Sequence, residues 1–245
     1  MKLEIYLKEI VDWIREKVKA ANAVGVIVGI SGGIDSALVA NLAKQAFPND
    51  YLTVWMPLHS SLEDEECKNA LVNENNLKFK TVNLLSTFNE IKTELNLPNE
   101  TAKSTQLALA NTKARLRMTT LYSLAQSHNY LVLGTDNADE WHIGYFTKFG
   151  DGGCDLLPIV HLLKQEVKEA AKFYNVPNII IDRKPTAGLW ENQTDEAEIG
   201  FSYEIIDRYL IGENVSTDAK ERIEYLHFIS EHKRNGALQP KKIIR

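Results

Sequence analysis

The chain has 245 residues, 44% of them hydrophobic and 25% charged, with a formal net charge of −5. That size and composition suit one globular α/β domain able to bury a sizeable core without a covalent staple. The acidic balance opposes wrapping a polynucleotide, which needs a basic footprint, and leaves open small anionic ligands held at a local positive site.

Leu7, Ile10, Val11, Ile14 and Val18 recur at helical spacing, so residues 3–20 are predicted as an amphipathic helix. Residues 24–30 (VGVIVGI) form a short, β-branched run with glycines and read as a buried strand. A helix is expected from Ala37 to Lys44, then a second strand from Tyr51 to Met56 that Pro57 ends. Ser61 with Asp64 three residues on marks a helix start with acidic residues in its first turn. Lys78–Leu84 is a weaker third strand, Ser104–Ser127 one long helix, and Tyr130–Gly134 a fourth strand. Lys164–Tyr174 is a helix, Asn178–Ile181 a candidate fifth strand, and Asp195–Leu210 and Ser216–His232 are further helices.

Strands separated by helices imply right-handed crossovers and an open, parallel five-stranded sheet flanked by helices, in one domain over 1–245. The stretches near 96–104, 145–160 and 183–195 are the longest loops, and the last two are expected to order over a bound substrate. Cys67 and Cys154 form no CxxC, which opposes a disulfide framework or a zinc site and favours the cytoplasm. Charges interrupt every apolar run near the N-terminus, so neither a signal peptide nor a membrane span is expected.

The strongest chemical signal is Ser31-Gly32-Gly33-Ile34-Asp35-Ser36, placed between the first strand and a helix. Glycines let the backbone approach a ligand, and a helix N-terminus aims free N–H groups and partial positive charge at it. GxxxxGK[ST] and GxGxxG are both absent. The order resembles the PP-loop of ATP-pyrophosphatases, which cleave ATP between the α and β phosphates. Asp35 inside a phosphate loop calls for a bridging cation, and magnesium is the natural one. The alternatives are a glycine-rich turn, or a loop that binds nucleotide without turnover.

The fourth strand ends in Thr135-Asp136-Asn137-Ala138-Asp139-Glu140, and ligands of open parallel sheets lie at such carboxyl ends. Glu140 could share a magnesium ion with Asp35, or the run could simply cap a helix through Asp136 or Asn137. Residues 144–158 (GYFTKFGDGGCDLLP) are too glycine-rich for a helix and too polar for a core strand, and read as a binding loop.

Together, SGGIDSA, NTKARLRM, GTDNADE, GYFTKFGDGGCDLLP, KPTAGLW and QTDEAEIGFSYEIID strongly resemble bacterial ammonia-dependent NAD synthetase. The resemblance runs from about residue 8 to the EHKR segment at 231–234 and departs from the familiar pattern at 136–139. It implies an adenine-nucleotide alpha-hydrolase-like, Rossmann-like fold and a homodimer with its dinucleotide site at the subunit interface. Gly29, Ile30, Ser31, Gly32, Gly33, Ile34, Asp35 and Ser36 would cradle ATP, with Thr135, Lys164 and Thr186 also touching it. Asp35 and Glu140 would hold magnesium. Arg115, Lys148, Asp155, His232 and Lys233 would meet nicotinic acid adenine dinucleotide (deamido-NAD).

Bland alternatives stand beside these roles. Arg115 and Arg117 could decorate a helix face, Lys148 could be a solvated loop lysine, and His232 and Lys233 an ordinary cationic helix end. Trp190 reads as packing and Cys154 as structural. The reaction implied is attack of the nicotinate carboxylate on the α-phosphate of ATP, then ammonia on the acyl-adenylate. Lys164 would stabilise charge, and Asp151 is the candidate base that deprotonates ammonium. No part of the sequence is left over for a glutamine amidohydrolase, so free ammonia is the expected donor. Another PP-loop enzyme, such as a tRNA-modifying one, and a nucleotide-sensing module are the competing readings.

Overall fold

Residues 25–30 have no polar face to offer water, and they take the interior of the sheet. In the computed structural model, which describes residues 2–58, 60–99, 101–183 and 195–241, they form β1 (Gly25–Ile30). On one side β1 pairs with β2 (Tyr51–Trp55), which pairs with β3 (Phe79–Thr81); on the other it pairs with β4 (Tyr130–Leu133). Every pairing is parallel, with Gly29 opposite Val54 and Val28 opposite Leu133. The chain leaves the β3–β2 side and returns beside β1 as β4. That reversal opens a crevice at the carboxyl ends of β1 and β4, where an open sheet holds its ligand.

One face of the sheet is covered by α1 (Leu3–Ala20), α2 (Ile34–Ala46) and α7 (Lys164–Phe173), with Ile14, Leu38, Val28 and Val167 in one apolar cluster. Leu7, Ile10, Val11, Ile14 and Val18 are the buried stripe of α1, as their spacing predicts. The other face carries α4 (Leu85–Leu95) and the long α5 (Lys103–His128), packed over Ile27, Val54 and Val132. The first cluster also takes in Cys67, Leu71 and Val72 of α3 (Leu62–Glu74), whose N-terminus has the predicted reciprocal Ser61–Asp64 capping box. A third cluster, around Ile143, Ile206 and Ile223, joins α6 (Ala138–Ile143), α9 (Asp195–Ile199), α10 (Tyr203–Leu210) and α11 (Thr217–Ile229), with α12 (Glu231–Arg234) after it.

The fifth strand expected at Asn178–Ile181 is instead the short helix α8 (Asn178–Ile181). Pro177 has a fixed φ and no N–H, which suits a helix start, and its carbonyl accepts from Ile180 at 2.9 Å. Ile180 and Ile181 are buried among the helices on that face rather than in a ladder. Four apolar residues cannot by themselves distinguish strand from buried helix. The sheet therefore has four strands among the described residues. The 145–160 stretch is already tied down: Gly134 N donates to Leu156 O at 2.8 Å and Asp155 N to Val132 O at 2.9 Å. No helix among the described residues is long and apolar enough to cross a membrane.

Candidate active site

The crevice is a cavity of about 520 Å³, within the range of sites that enclose small ligands. Its floor is the turn from β1 into α2. Gly32 has φ +82°, and a Cβ there would lie 3.1 Å from the Asp64 carbonyl oxygen, so the turn requires glycine. Ser31 Oγ lies 3.1 Å from Ser36 Oγ, and Ser36 Oγ donates to Gly33 O at 2.9 Å. Those bonds shape the turn from within. Gly33, the N-cap of α2, offers no side chain to the first-turn N–H groups. They stay free for an anion at the positive end of a 13-residue helix. Gly29, Ile30, Ser31, Gly33, Ile34 and Asp35 all line the cavity.

Three charged side chains meet beside this turn. Lys164 Nζ is 2.6 Å from Asp35 Oδ2 and 3.3 Å from Glu140 Oε1. The lysine sits 4.6 Å over the Tyr203 ring, and the Tyr203 hydroxyl donates to Glu140 Oε1 at 3.2 Å. Burial alone would strip the charge from Lys164, but the two carboxylates outweigh it and hold the ammonium above the ordinary lysine value. Glu140 is pushed up to about 7 by burial, although Lys164 pulls the other way.

Asn137 and the start of α7 place these groups. Asn137 Oδ1 accepts from Glu140 N at 3.0 Å, capping α6, while its Nδ2 donates to Asp35 Oδ1 at 2.8 Å. Capping and convergence of Glu140 on the site are thus both true of this run. Lys164 N donates to Asp139 Oδ2 and Asp207 Oδ1, each at 2.9 Å, and Gln165 N to Asp207 Oδ2 at 3.0 Å. Two carboxylates from α6 and α10 therefore cap α7 and aim its first side chain into the cavity. Asp139 is pushed up to about 8 by burial and by Asp207 beside it. Among the described residues no three His, Cys, Asp or Glu side chains group to hold a metal. Asp35 and Glu140 nonetheless supply two converging carboxylates, which suits a magnesium ion whose other ligands are phosphates and water.

Thr135, Asp136, Asp151 and Lys233 also line the cavity. Lys233 Nζ donates to the carbonyls of Gly144 and Phe146, both at 2.8 Å. Asp151 is exposed, its Oδ1 accepts from Thr147 N at 3.0 Å, and partial desolvation raises its pKa against the pull of that bond. Asp136 is 4% exposed, and its Oδ2 has no hydrogen-bond partner among the described residues.

Of the residues predicted to meet the dinucleotide, Lys233 alone lines this cavity among the described residues. Arg115 donates to the Lys148 carbonyl at 3.3 Å, and Lys148 Nζ to the His232 carbonyl, so these three form a string outside it. Asp155 is exposed and accepts from Tyr122 Oη at 3.0 Å and Val132 N at 2.8 Å, bracing α5 against β4. Thr186 and Trp190 lie outside the described residues.

Sequence reasoning missed Arg183, which is 2.6 Å from Asp64 and donates to Gly32 O at 3.4 Å, clamping the turn to α3. A lone arginine before KPTAGLW carries no signal of that partner. Arg117 does not decorate a surface: it lines the cavity, and its Nε donates to Met56 O at 3.3 Å. The Cys154 thiol is pushed up to about 12 by burial and by Asp136 and Asp155, as befits a structural cysteine.

The family model described as NAD synthase matches residues 6–237. An NH(3)-dependent NAD(+) synthetase of Mesoplasma florum is 58% identical over 245 residues, covering 100% of both chains. Among solved structures, NMN synthetase from Francisella tularensis superposes with a TM-score of 0.91 at 38% identity, over 99% of this chain and 100% of that one. NH3-dependent NAD synthetase from Campylobacter jejuni, in complex with the nitrate ion, does so with a TM-score of 0.80 at 28% identity, over 98% and 100%. The family match takes in every residue that lines the cavity, from Gly29 to Lys233. This chain belongs to the NAD synthase family.

Proposed function

We propose that this chain is a ligase that amidates nicotinic acid adenine dinucleotide to NAD, the last step of NAD biosynthesis, consuming ATP and ammonia. The observation that carries this reading is the meeting of Asp35, Glu140 and Lys164 beside an uncapped helix N-terminus at the sheet's switch point. Gly29–Ser36 receive the ATP phosphates, and Thr135 contacts the nucleotide. Asp35 and Glu140 would hold magnesium, which when bound offsets phosphate charge. Lys164, charged and fixed by the cap of α7, neutralises the charge that builds as the nicotinate carboxylate attacks the α-phosphate. Pyrophosphate leaves and an acyl-adenylate remains. Ammonia then displaces AMP, with Asp151 accepting a proton from the nitrogen. Asp151→Asn is expected to slow amide formation while adenylate formation survives in rapid-quench assays.

Residues 1–245 act as one synthetase domain in a cytoplasmic homodimer. The exposed stripe Tyr225, Phe228 and Ile229 on α11 supports pairing. Arg115, Lys148, Asp155, His232 and Lys233 receive the dinucleotide at the interface. Four of them lying outside the cavity agrees with a substrate that reaches beyond it.

A second reading keeps the chemistry and shortens the acid to nicotinic acid mononucleotide. The better superposition on an NMN synthetase than on an NAD synthetase favours it. Purified protein with magnesium, ATP, ammonium chloride and either acid tests both. Equimolar NAD, AMP and pyrophosphate, at a higher kcat/KM for the dinucleotide and with no product from glutamine, is the expected result. Preference for the mononucleotide establishes the second reading. AMP only with another carboxylate or with tRNA discards both substrates, and no AMP leaves a nucleotide-binding module.

A further inference from the structure

We infer that Asp136 receives the ammonium ion and takes the first proton from its nitrogen in the amide-forming step. The inference rests on the amidation reading above.

Each polar neighbour in the run 135–140 except Asp136 faces open cavity or has structural work. Asn137 caps α6 and holds Asp35, Asp139 caps α7, and Glu140 reaches Lys164. Asp136 is buried at the carboxyl end of β4, lines the cavity, and leaves Oδ2 without a partner among the described residues. A carboxyl buried this way is costly and calls for an explanation. A small cation that fits the cavity supplies one.

The position also suits the chemistry. Asp136 lines the same cavity as Asp151 and Lys233 and as Asp35 and Glu140. Asp136 therefore shares one cavity with both the phosphate turn and the glycine-rich loop, the cavity in which the activated carbonyl would lie. Burial first, then the carboxylates of Asp151, Glu140 and Asp35, raise its pKa well above the usual range against the pull of Lys233. A base that must compete for a proton of ammonium needs such proton affinity. The same ion pair forms whether ammonium meets the carboxylate or ammonia meets the carboxylic acid.

The proton count requires two acceptors. Ammonium gives one proton to Asp136, and the freed nitrogen lone pair attacks the adenylate carbonyl carbon. The C–N bond forms, the C–O bond to phosphate breaks, and AMP leaves with that electron pair. The nitrogen then sheds a second proton to Asp151, leaving the neutral amide.

The test uses Asp136→Asn in the full chain. Pyrophosphate–ATP exchange, driven by the acid substrate without ammonium, reports adenylation and folding together. Exchange within about twofold of wild type, with amide formation from ammonium lowered at least about 100-fold, is expected. Hydroxylamine, already a free base at neutral pH, should still give hydroxamate at near the wild-type rate. Asp136→Ser removes the carboxyl without added bulk and should give the same split if the first variant does not fold. Unchanged amide formation, a parallel loss of exchange, a changed magnesium requirement for exchange, or failure of both variants to fold would each overturn the inference. A wild-type protein that amidates neither nicotinate nucleotide would instead overturn the reading on which it rests.

Discussion

At the residue scale, the site is a charge balance centred on Lys164. Its side chain is 4% exposed, and two carboxylates share its one cation. Lys164→Met leaves the converging carboxylates of Asp35 and Glu140 without the cation they share. Removing one member of such a buried set costs on the order of 3–5 kcal/mol. The variant is expected to melt well below wild type in calorimetry, to regain part of that loss on adding magnesium, and to release no pyrophosphate. A melting temperature equal to wild type would mean the triad adds nothing to the fold. Cys154 offers a pH-dependent check. Only thiolate reacts with alkylating agents, and raising the pKa to about 12 lowers the thiolate fraction at every pH below that. At pH 8 that fraction is about one in ten thousand, against roughly a quarter for an ordinary thiol. Iodoacetamide should therefore leave Cys154 unlabelled at pH 8 in the folded protein and label it readily in urea.

At the element scale, the start of α7 links fold to chemistry. Asp207 accepts from both Lys164 N, which it shares with Asp139, and Gln165 N, so it serves two first-turn donors of that helix. Asp207→Ala should cost about 1–2 kcal/mol in denaturant midpoints, the scale of a lost cap. It should also raise the KM for ATP, because Lys164 is the first residue of the uncapped turn. Loss of stability with no change in KM would separate the cap from the site. Helices whose apolar residues repeat over three turns or more were legible, as Leu7 to Val18 in α1. By contrast, α4 and α6 were not expected, and the single helix expected over Asp195–Leu210 breaks at Gly200 (φ +101°) into α9 and α10. Asn178–Ile181 was not legible. Four apolar residues fit either element, and the neighbouring helices gave them a buried face without a ladder.

At the scale of the whole molecule, the described surface leaves Phe228 80% exposed, with Tyr225 and Ile229 beside it on α11. One apolar stripe at this helical spacing suits burial against a second copy. Sedimentation should give twice the 27.7 kDa chain mass. Phe228→Glu should shift it toward the monomer and raise the KM for the acid dinucleotide more than that for ATP. A wild-type monomer with full activity would discard the dimer.

By itself the sequence determined what local spacing controls. The Ser31–Ser36 turn between strand and helix, the Ser61–Asp64 cap and the apolar stripe of α1 each depend on residues within a few positions of one another, so pattern suffices. Only the tertiary structure decided which distant carboxylates face which cations. Asp35 meets Lys164 across 129 positions, and Arg183 reaches Gly32 across 151. No periodicity encodes such pairs, because they arise from parallel strands and helices stacking on both faces of one sheet. Asp136, buried yet lining the cavity, is a product of that stacking.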